Sequence, residues 1–271
     1  MPFKAIVQCL VPPVMWGAAH QIKFALRPPP PPPEPPPPPP PSVPLTEIRF
    51  SSWAEACNAS SSYENELLVR FRVARFILNA GKDLIPDVTS RPLFWLTKIL
   101  GEKLRITDFG GAFGEYGTGL CRQIDSIDYT VVETPALLAQ SPALERVAMT
   151  SEMPETCDIF YCGGALQYLA RPYEVLDAGF KSASKALVLS RNAFSQHETF
   201  RVQASPLFDN GFGEVPDGFE NEIITHPLRT MREDYVHSLA AAHGFTLLSR
   251  FLEPSVFPDP EVYSAQLVFV R

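Results

Sequence analysis

Asp108-Phe109-Gly110-Gly111-Ala112-Phe113-Gly114 is the stretch on which the fold turns. It follows directly on Leu104-Arg105-Ile106-Thr107, which reads as a short strand. An acid at a strand's carboxyl end, followed by a glycine-rich turn, is how open α/β sheets hold a nucleotide-like cofactor. The glycines let backbone approach a ligand and take φ values that a Cβ forbids. Counted from Gly110, the dinucleotide fingerprint G-x-G-x-x-G fails, because Ala112 and Glu115 stand at its third and sixth positions. What stands is D-x-G-G-x-x-G. A carboxylate there attracts a ligand bearing an ammonium and a sulfonium, whereas it repels a pyrophosphate.

Outward from this turn, strands and helices alternate. Strands are predicted at Leu104–Phe109, Tyr129–Glu133, Arg146–Thr150, Asp158–Cys162 and Ala186–Ser190, with a final pair at Phe245–Phe251 and Ser264–Val270. Helices fall near Tyr116–Ile124 and Tyr173–Ala183, and another opens on Thr134 as N-cap with Pro135 behind it. This is a βαβ series, so the expected fold is α/β: a doubly wound, mostly parallel seven-stranded sheet with an antiparallel last strand. Upstream, Ser61 and Glu64 predict a capping box. The helix it opens carries a stripe of Leu67, Leu68, Phe71, Ala74, Ile77 and Leu78, with Arg70, Arg72 and Arg75 on a solvated face. A second helix runs from Ser90, with Pro92 in its first turn, to Gly101. Arg191–Pro227 shows little periodicity and reads as a lid or substrate loop. Thr230 and Glu233 predict a last capping box, for a helix that ends at Gly244.

The 271 residues suffice for one full core with appendages. Hydrophobic content of 45% and charged content of 20% are those of a globular protein. Net charge is -7 and no basic stripe occurs, which argues against nucleic acid as the main partner. Cys9, Cys57, Cys121, Cys157 and Cys162 are odd in number and form no C-x-x-C pair, so neither a disulfide framework nor a zinc site is indicated. A reducing, cytoplasmic setting is expected, with Cys157 and Cys162 as small buried hydrophobes on opposite faces of one strand. No metal site is read from His226, His237 and His243. Four regions follow: an apolar segment 1–27, a polyproline linker 28–44, a helical extension 45–101 and the main domain 102–271. Pro12-Pro13 breaks the first segment, leaving it too short for a membrane span; peripheral membrane contact is the remaining membrane role. Residues 28–41 are thirteen prolines interrupted by Glu34, a spacer or an SH3-like ligand.

Glu133 ends the second strand, 22 residues after Gly111. That is where such sheets place an acid for ribose hydroxyls, although a helix N-terminus also favours an acid. Asp158 through Leu169 runs from a buried strand into the small turn Gly163-Gly164, which leaves room for a ligand. Gln167 and Tyr168 then face the reactive end, or pack the next helix. His197 follows the fifth strand and is a candidate general base, or a surface histidine. Tyr168 is the second catalytic candidate; Tyr168, Arg191 and Gln203 are candidate substrate contacts, and Arg191 suits a carboxylate or phosphate.

These motifs together resemble the class I (Rossmann-like) S-adenosylmethionine-dependent methyltransferases over roughly residues 100–271. Within that class the chain resembles a family of bacterial methyltransferases associated with surface-polysaccharide gene clusters. The likeness rests on Ser52-Trp53-Ala54-Glu55-Ala56, Ser62-Tyr63, Asp108-Phe109-Gly110-Gly111-Ala112, Val132-Glu133-Thr134-Pro135 and Gly164-Ala165-Leu166-Gln167-Tyr168-Leu169. Ser62 stands where that family usually has glycine. The resemblance implies that Asp108, Gly110, Gly111 and Gly114 line the methionine part of S-adenosylmethionine. It implies Glu133 on the ribose, Met149 and Thr150 near the adenine, and Gly163 beside the sulfonium. The implied activity is O- or N-methylation of a small polar acceptor, with a sugar or polysaccharide precursor among the candidates. Two other readings stand beside it: an NAD(P)-dependent oxidoreductase or epimerase on the same sheet, and a non-catalytic binding module.

Overall fold

A computed structural model describes residues 49–81, 87–88, 91–101, 103–254 and 259–271, all within the unit Val43–Arg271. The apolar segment 1–27, the polyproline run 28–44 and the helix start at Ser90 lie outside the described residues.

Seven strands form one sheet: β1 Leu104–Phe109, β2 Ile127–Val132, β3 Val147–Thr150, β4 Cys157–Cys162, β5 Ala183–Phe194, β8 Thr246–Glu253 and β9 Tyr263–Val270. Their spatial order is β3-β2-β1-β4-β5-β9-β8. β1 through β5 pair in parallel, and β9 runs antiparallel to both β5 and β8. This is the doubly wound, Rossmann-like sheet with an antiparallel last strand that the sequence predicts. The last strand does not take the edge; it inserts between β5 and β8.

Both faces are covered, which is why the parallel strands read as apolar runs. On one face Ile106, Tyr129, Tyr161 and Val188 pack with Leu93 and Leu96 of α3 (Pro92–Leu100) and Leu120 of α4 (Glu115–Gln123). On the other, Phe160, Leu187 and Phe269 pack with Phe180 of α6 (Pro172–Ser182) and Val236 of α7 (Glu233–Ala242), while the one-turn α5 (Pro135–Leu138) links β2 to β3. Each fully buried leucine or phenylalanine contributes about 1.5–3 kcal/mol by leaving water. Cys157 and Cys162 join the same core layer rather than opposite faces, because the β4 register slips between Cys157 and Ile159 and breaks the alternation. Gly101 ends α3 in the left-handed conformation at φ +63°. α3 packs within the main core, so residue 101 is not a packing boundary.

The extension contains α1 (Trp53–Asn58) and α2 (Glu66–Gly81). α2 is capped by Asn65, whose Oδ1 accepts from the Leu67 and Leu68 amides, and not by Ser61. Ser61 instead bonds Thr225. The buried face of α2 is Leu68, Val69, Phe71, Arg75, Phe76 and Asn79, while Ile77 is exposed. Arg75 is therefore not solvated. Its guanidinium donates to the carbonyls of Phe208, Asn210, Phe212 and Gly213. Asn79 donates to the Phe212 and Glu214 carbonyls and accepts from the Glu214 amide. These contacts clamp a segment that lacks apolar periodicity because polar side chains satisfy its backbone.

Arg191–Pro227 is not an irregular lid. β6 (Phe200–Pro206) and β7 (Ile223–Arg229) form an antiparallel ribbon over which α2 packs through Leu68, Phe71, Leu207 and Ile224. The predicted capping box before α7 does not form either. Thr230 Oγ1 bonds Ser195 and Thr199, and Glu233 binds Arg250 and Tyr263. Arg75→Met removes one donor from four carbonyls, of which Phe212 keeps Asn79 as a second, and a charge-assisted bond is worth roughly 1.5–3 kcal/mol. Urea denaturation is expected to show a loss of about 3 kcal/mol, against less than 1 kcal/mol for the exposed Arg70→Met.

Candidate active site

The carboxyl ends of β1 and β2 carry the acids, with the end of β4 beside them. Asp108 lies opposite Val131 of β2 and Tyr161 of β4, and is 2% exposed. Tyr129 Oη donates to its Oδ2 at 2.7 Å. Its Oδ1 is buried with no hydrogen-bond partner among the described residues. Burial pushes the carboxyl up to about 7; the Tyr129 bond and the nearby Arg91 charge oppose that, while Glu133 adds to it. Arg91 enters from the start of α3. It donates to Tyr161 Oη at 2.8 Å and its guanidinium sits 4.7 Å from the centre of the Tyr116 ring.

The glycine turn closes over this carboxyl. Gly110 has φ +71°, and a Cβ on it would meet Ala165 Cβ at 2.2 Å. A Cβ on Gly111 would meet Asp108 Oδ2 at 2.4 Å. The two positions accept no side chain without moving the turn that follows β4 or the acid itself. Ala112 takes φ +55°, a conformation costing an L-residue roughly 1–2 kcal/mol. Glu133 Oε1 holds it there by accepting the Ala112 amide at 2.9 Å. Oε2 accepts the Thr134 amide at 3.0 Å. Each oxygen keeps a further lone pair. Burial raises the Glu133 pKa, opposed by Arg72 and by these two amides. Gly114 then heads α4.

Met149 and Thr150 end β3 on the far side of Glu133, whose amide donates to the Thr150 carbonyl at 2.9 Å. Gly163 follows β4; its carbonyl accepts Arg191 Nη2 at 2.7 Å. Arg191 has φ +54°, and its amide donates to Glu253 Oε2 at 2.6 Å. Gln167 is buried and accepts the Ala193 amide, so it serves packing. Tyr168 Oη donates to Gln203 Oε1 at 2.9 Å, across to the ribbon. His197 sits on an exposed turn, in a cleft with Gln196, Arg232, Asp234 and Tyr263. None of those residues belongs to the Asp108–Glu133 group. Among the described residues, no group of three or more His, Cys, Asp or Glu could hold a metal ion, and no helix is long and apolar enough to cross a membrane.

Three further residues adjoin the site. Tyr63 stacks on Tyr168 with centroids 4.9 Å apart, and His226 lies 5.0 Å from Tyr63 and 5.9 Å from Tyr168. Arg72 places its guanidinium 5.3 Å from the Tyr63 ring centre, and its charge acts on Glu115 and Glu133. His226 hides in sequence because its strand, Ile223–Arg229, contains Pro227. Alternation over Ile224, His226 and Leu228 is the signal that exposes it. Arg72 follows Phe71 directly, on the edge of the buried stripe.

No family model matches the chain, and no curated protein matches it. Solved structures do. A 1,6-didemethyltoxoflavin-N1-methyltransferase from Burkholderia thailandensis, with S-adenosylhomocysteine bound, is 15% identical at a TM-score of 0.46, covering 84% of this chain and 93% of its own. An S-adenosylmethionine-dependent methyltransferase from Clostridium acetobutylicum is 11% identical at 0.46, covering 72% and 96%. Magnesium protoporphyrin IX methyltransferase from Synechocystis, with its methyl donor bound, is 12% identical at 0.45, covering 68% and 77%.

The raised Asp108 pKa carries a sign for stability. The native state keeps this proton up to about pH 7, whereas an unfolded aspartate releases it near pH 4. Native stability therefore falls as pH rises between those values. Asp108→Asn removes that dependence. Its stability relative to wild type is expected to rise by on the order of 3 kcal/mol between pH 4 and pH 8, read by denaturation at each pH. A flat difference contradicts the burial account.

Proposed function

We propose that this protein transfers a methyl group from S-adenosylmethionine to a small polar acceptor. One observation carries the reading. Asp108, with an unpartnered buried oxygen, and Glu133, with free lone pairs, stand at neighbouring strand ends on either side of a turn that accepts no Cβ at Gly110 and Gly111. The orphaned Oδ1 calls for a donor, which an α-ammonium supplies directly or through one water. Glu133 suits the paired hydroxyls of a ribose. A pyrophosphate fits poorly, since two carboxylates face it. When bound, S-adenosylmethionine supplies a methyl on a positively charged sulfur, an electrophile that needs no metal.

The protein's own part is orientation. The Gly110–Gly114 turn fixes the amino-acid end, Glu133 fixes the sugar, and Gly163 leaves the sulfonium side open. Proximity and alignment of this kind supply most of the acceleration in an in-line displacement. Met149 and Thr150 are proposed to border the adenine, with Tyr168, Arg191 and Gln203 toward the acceptor. A sugar or polysaccharide precursor is within the acceptor class. His197 is the less favoured candidate for the base, because it shares no neighbour with the cofactor acids.

Calorimetry tests this. Wild-type protein is expected to bind S-adenosylmethionine and S-adenosylhomocysteine with micromolar Kd, about -8 kcal/mol. Affinity is expected to rise with pH through about 7 as Asp108 ionises, and Asp108→Asn to bind at least about tenfold more weakly at pH 8. Absence of heat with either ligand contradicts the reading.

A further inference from the structure

The ring cluster beside the cofactor acids has its own chemistry. His226 is 1% exposed, and both ring nitrogens are buried with no hydrogen-bond partner among the described residues. Leaving an imidazole unpaired in the interior costs roughly 1–3 kcal/mol, and folding recovers none of it. His226 is held on β7 opposite Gln203 of β6, which bonds Tyr168. Tyr63 and Tyr168, half-buried, cover it on two sides. Arg72 lies over the Tyr63 ring, with Nη1 buried and unpartnered among the described residues. Three unspent polar atoms on two side chains therefore converge on one cluster of aromatic rings. The wall joins the cofactor turn through Ala165, which abuts Gly110 three residues before Tyr168.

We infer that Tyr63, Tyr168, His226 and Arg72 form the acceptor site, that the acceptor is a planar ring bearing a phenolic or enolic hydroxyl, and that His226 removes its proton. The inference rests on the methyltransferase reading above. The flat aromatic walls select a ring by stacking. The charge selects the hydroxyl. Arg72, over the Tyr63 ring, favours an oxygen that becomes anionic and repels a protonated amine. Burial and the Arg72 charge hold His226 down to about 4, so it is neutral at pH 7 and a weak base. A phenol, with pKa near 10, lies within reach of such a base once a guanidinium lowers it; a sugar alcohol, nearly as weak an acid as water, does not. This narrows the acceptor away from sugars.

The step balances as follows. The acceptor O–H bond breaks, and its proton passes to the unprotonated ring nitrogen of His226. The oxygen pair forms the new O–CH3 bond, while the pair of the broken S–CH3 bond returns to sulfur. The imidazolium then releases its proton to solvent. Here Arg72 and the tyrosines bind and position, and His226 touches the reacting atom.

The test uses full-length protein, with and without S-adenosylhomocysteine, and the probes 7-hydroxycoumarin, catechol and 4-nitrophenol against methyl glucoside and benzylamine. Binding is read by calorimetry, and methyl ether formation from S-adenosylmethionine by mass spectrometry. The expected result is that phenolic probes bind and are methylated, while the other two are not. Tyr63→Leu weakens phenol binding by about tenfold. His226→Gln lowers kcat by about 100-fold and leaves S-adenosylhomocysteine affinity and the melting temperature unchanged. The inference is overturned if no phenolic probe binds, if none yields a methyl ether, if glucoside or benzylamine is preferred, or if the variants behave as wild type. Failure of the wild type to bind S-adenosylhomocysteine sinks the methyltransferase reading itself, and phenol binding measured without that ligand still decides the acceptor site.

Discussion

The hydrogen bond from Tyr129 to buried Asp108 is the contact around which the site is organised. An ionised carboxylate in this position is expensive, which is why burial carries its pKa to about 7. Several features of the surrounding structure limit that cost. Tyr129 satisfies one oxygen, Arg91 brings a positive charge from α3, and the glycines let backbone lie directly over the acid. The second oxygen stays unsatisfied. A carboxylate kept this way has unspent binding energy for a cationic ligand, and the rest of the turn keeps it so.

The second constraint is the left-handed conformation of Ala112, secured by Glu133. One side chain thus both shapes the turn and keeps lone pairs free for the ribose proposed there. This couples the two halves of the proposed cofactor site: a change at Glu133 disturbs the amino-acid end as well. The helical extension contributes to the same place. Arg91 reaches toward Asp108 and Arg72 toward Glu133, so two cations from outside the sheet offset two buried acids. The extension thus brings positive charge to both acids of the proposed site.

The sheet was legible because its signals are local. Leu104–Phe109 reads directly as a strand, and Thr134-Pro135 and Pro92…Gly101 mark helix ends through backbone rules that hold without tertiary context. What sequence misread depends on long-range partners. Ser61 and Thr230 look like caps, yet their hydroxyls are taken by Thr225 and by Ser195 with Thr199. Arg75 looks solvated, yet it satisfies carbonyls more than 130 residues away. The ribbon β6–β7 escaped because β7 contains Pro227 and the connecting segment is held by polar side chains instead of an apolar stripe. For the same reason His226 was invisible as a site residue, while His197, chosen by proximity in sequence, falls in a separate cleft.

The most direct measurement is a crystal structure of the protein with S-adenosylhomocysteine. The account predicts the ligand's ammonium on Asp108, directly or through one water, and its ribose hydroxyls on Glu133, with the thioether sulfur turned toward Gly163 and the Tyr63–Tyr168–His226 wall. A ligand seated elsewhere, or with its ribose away from Glu133, contradicts it.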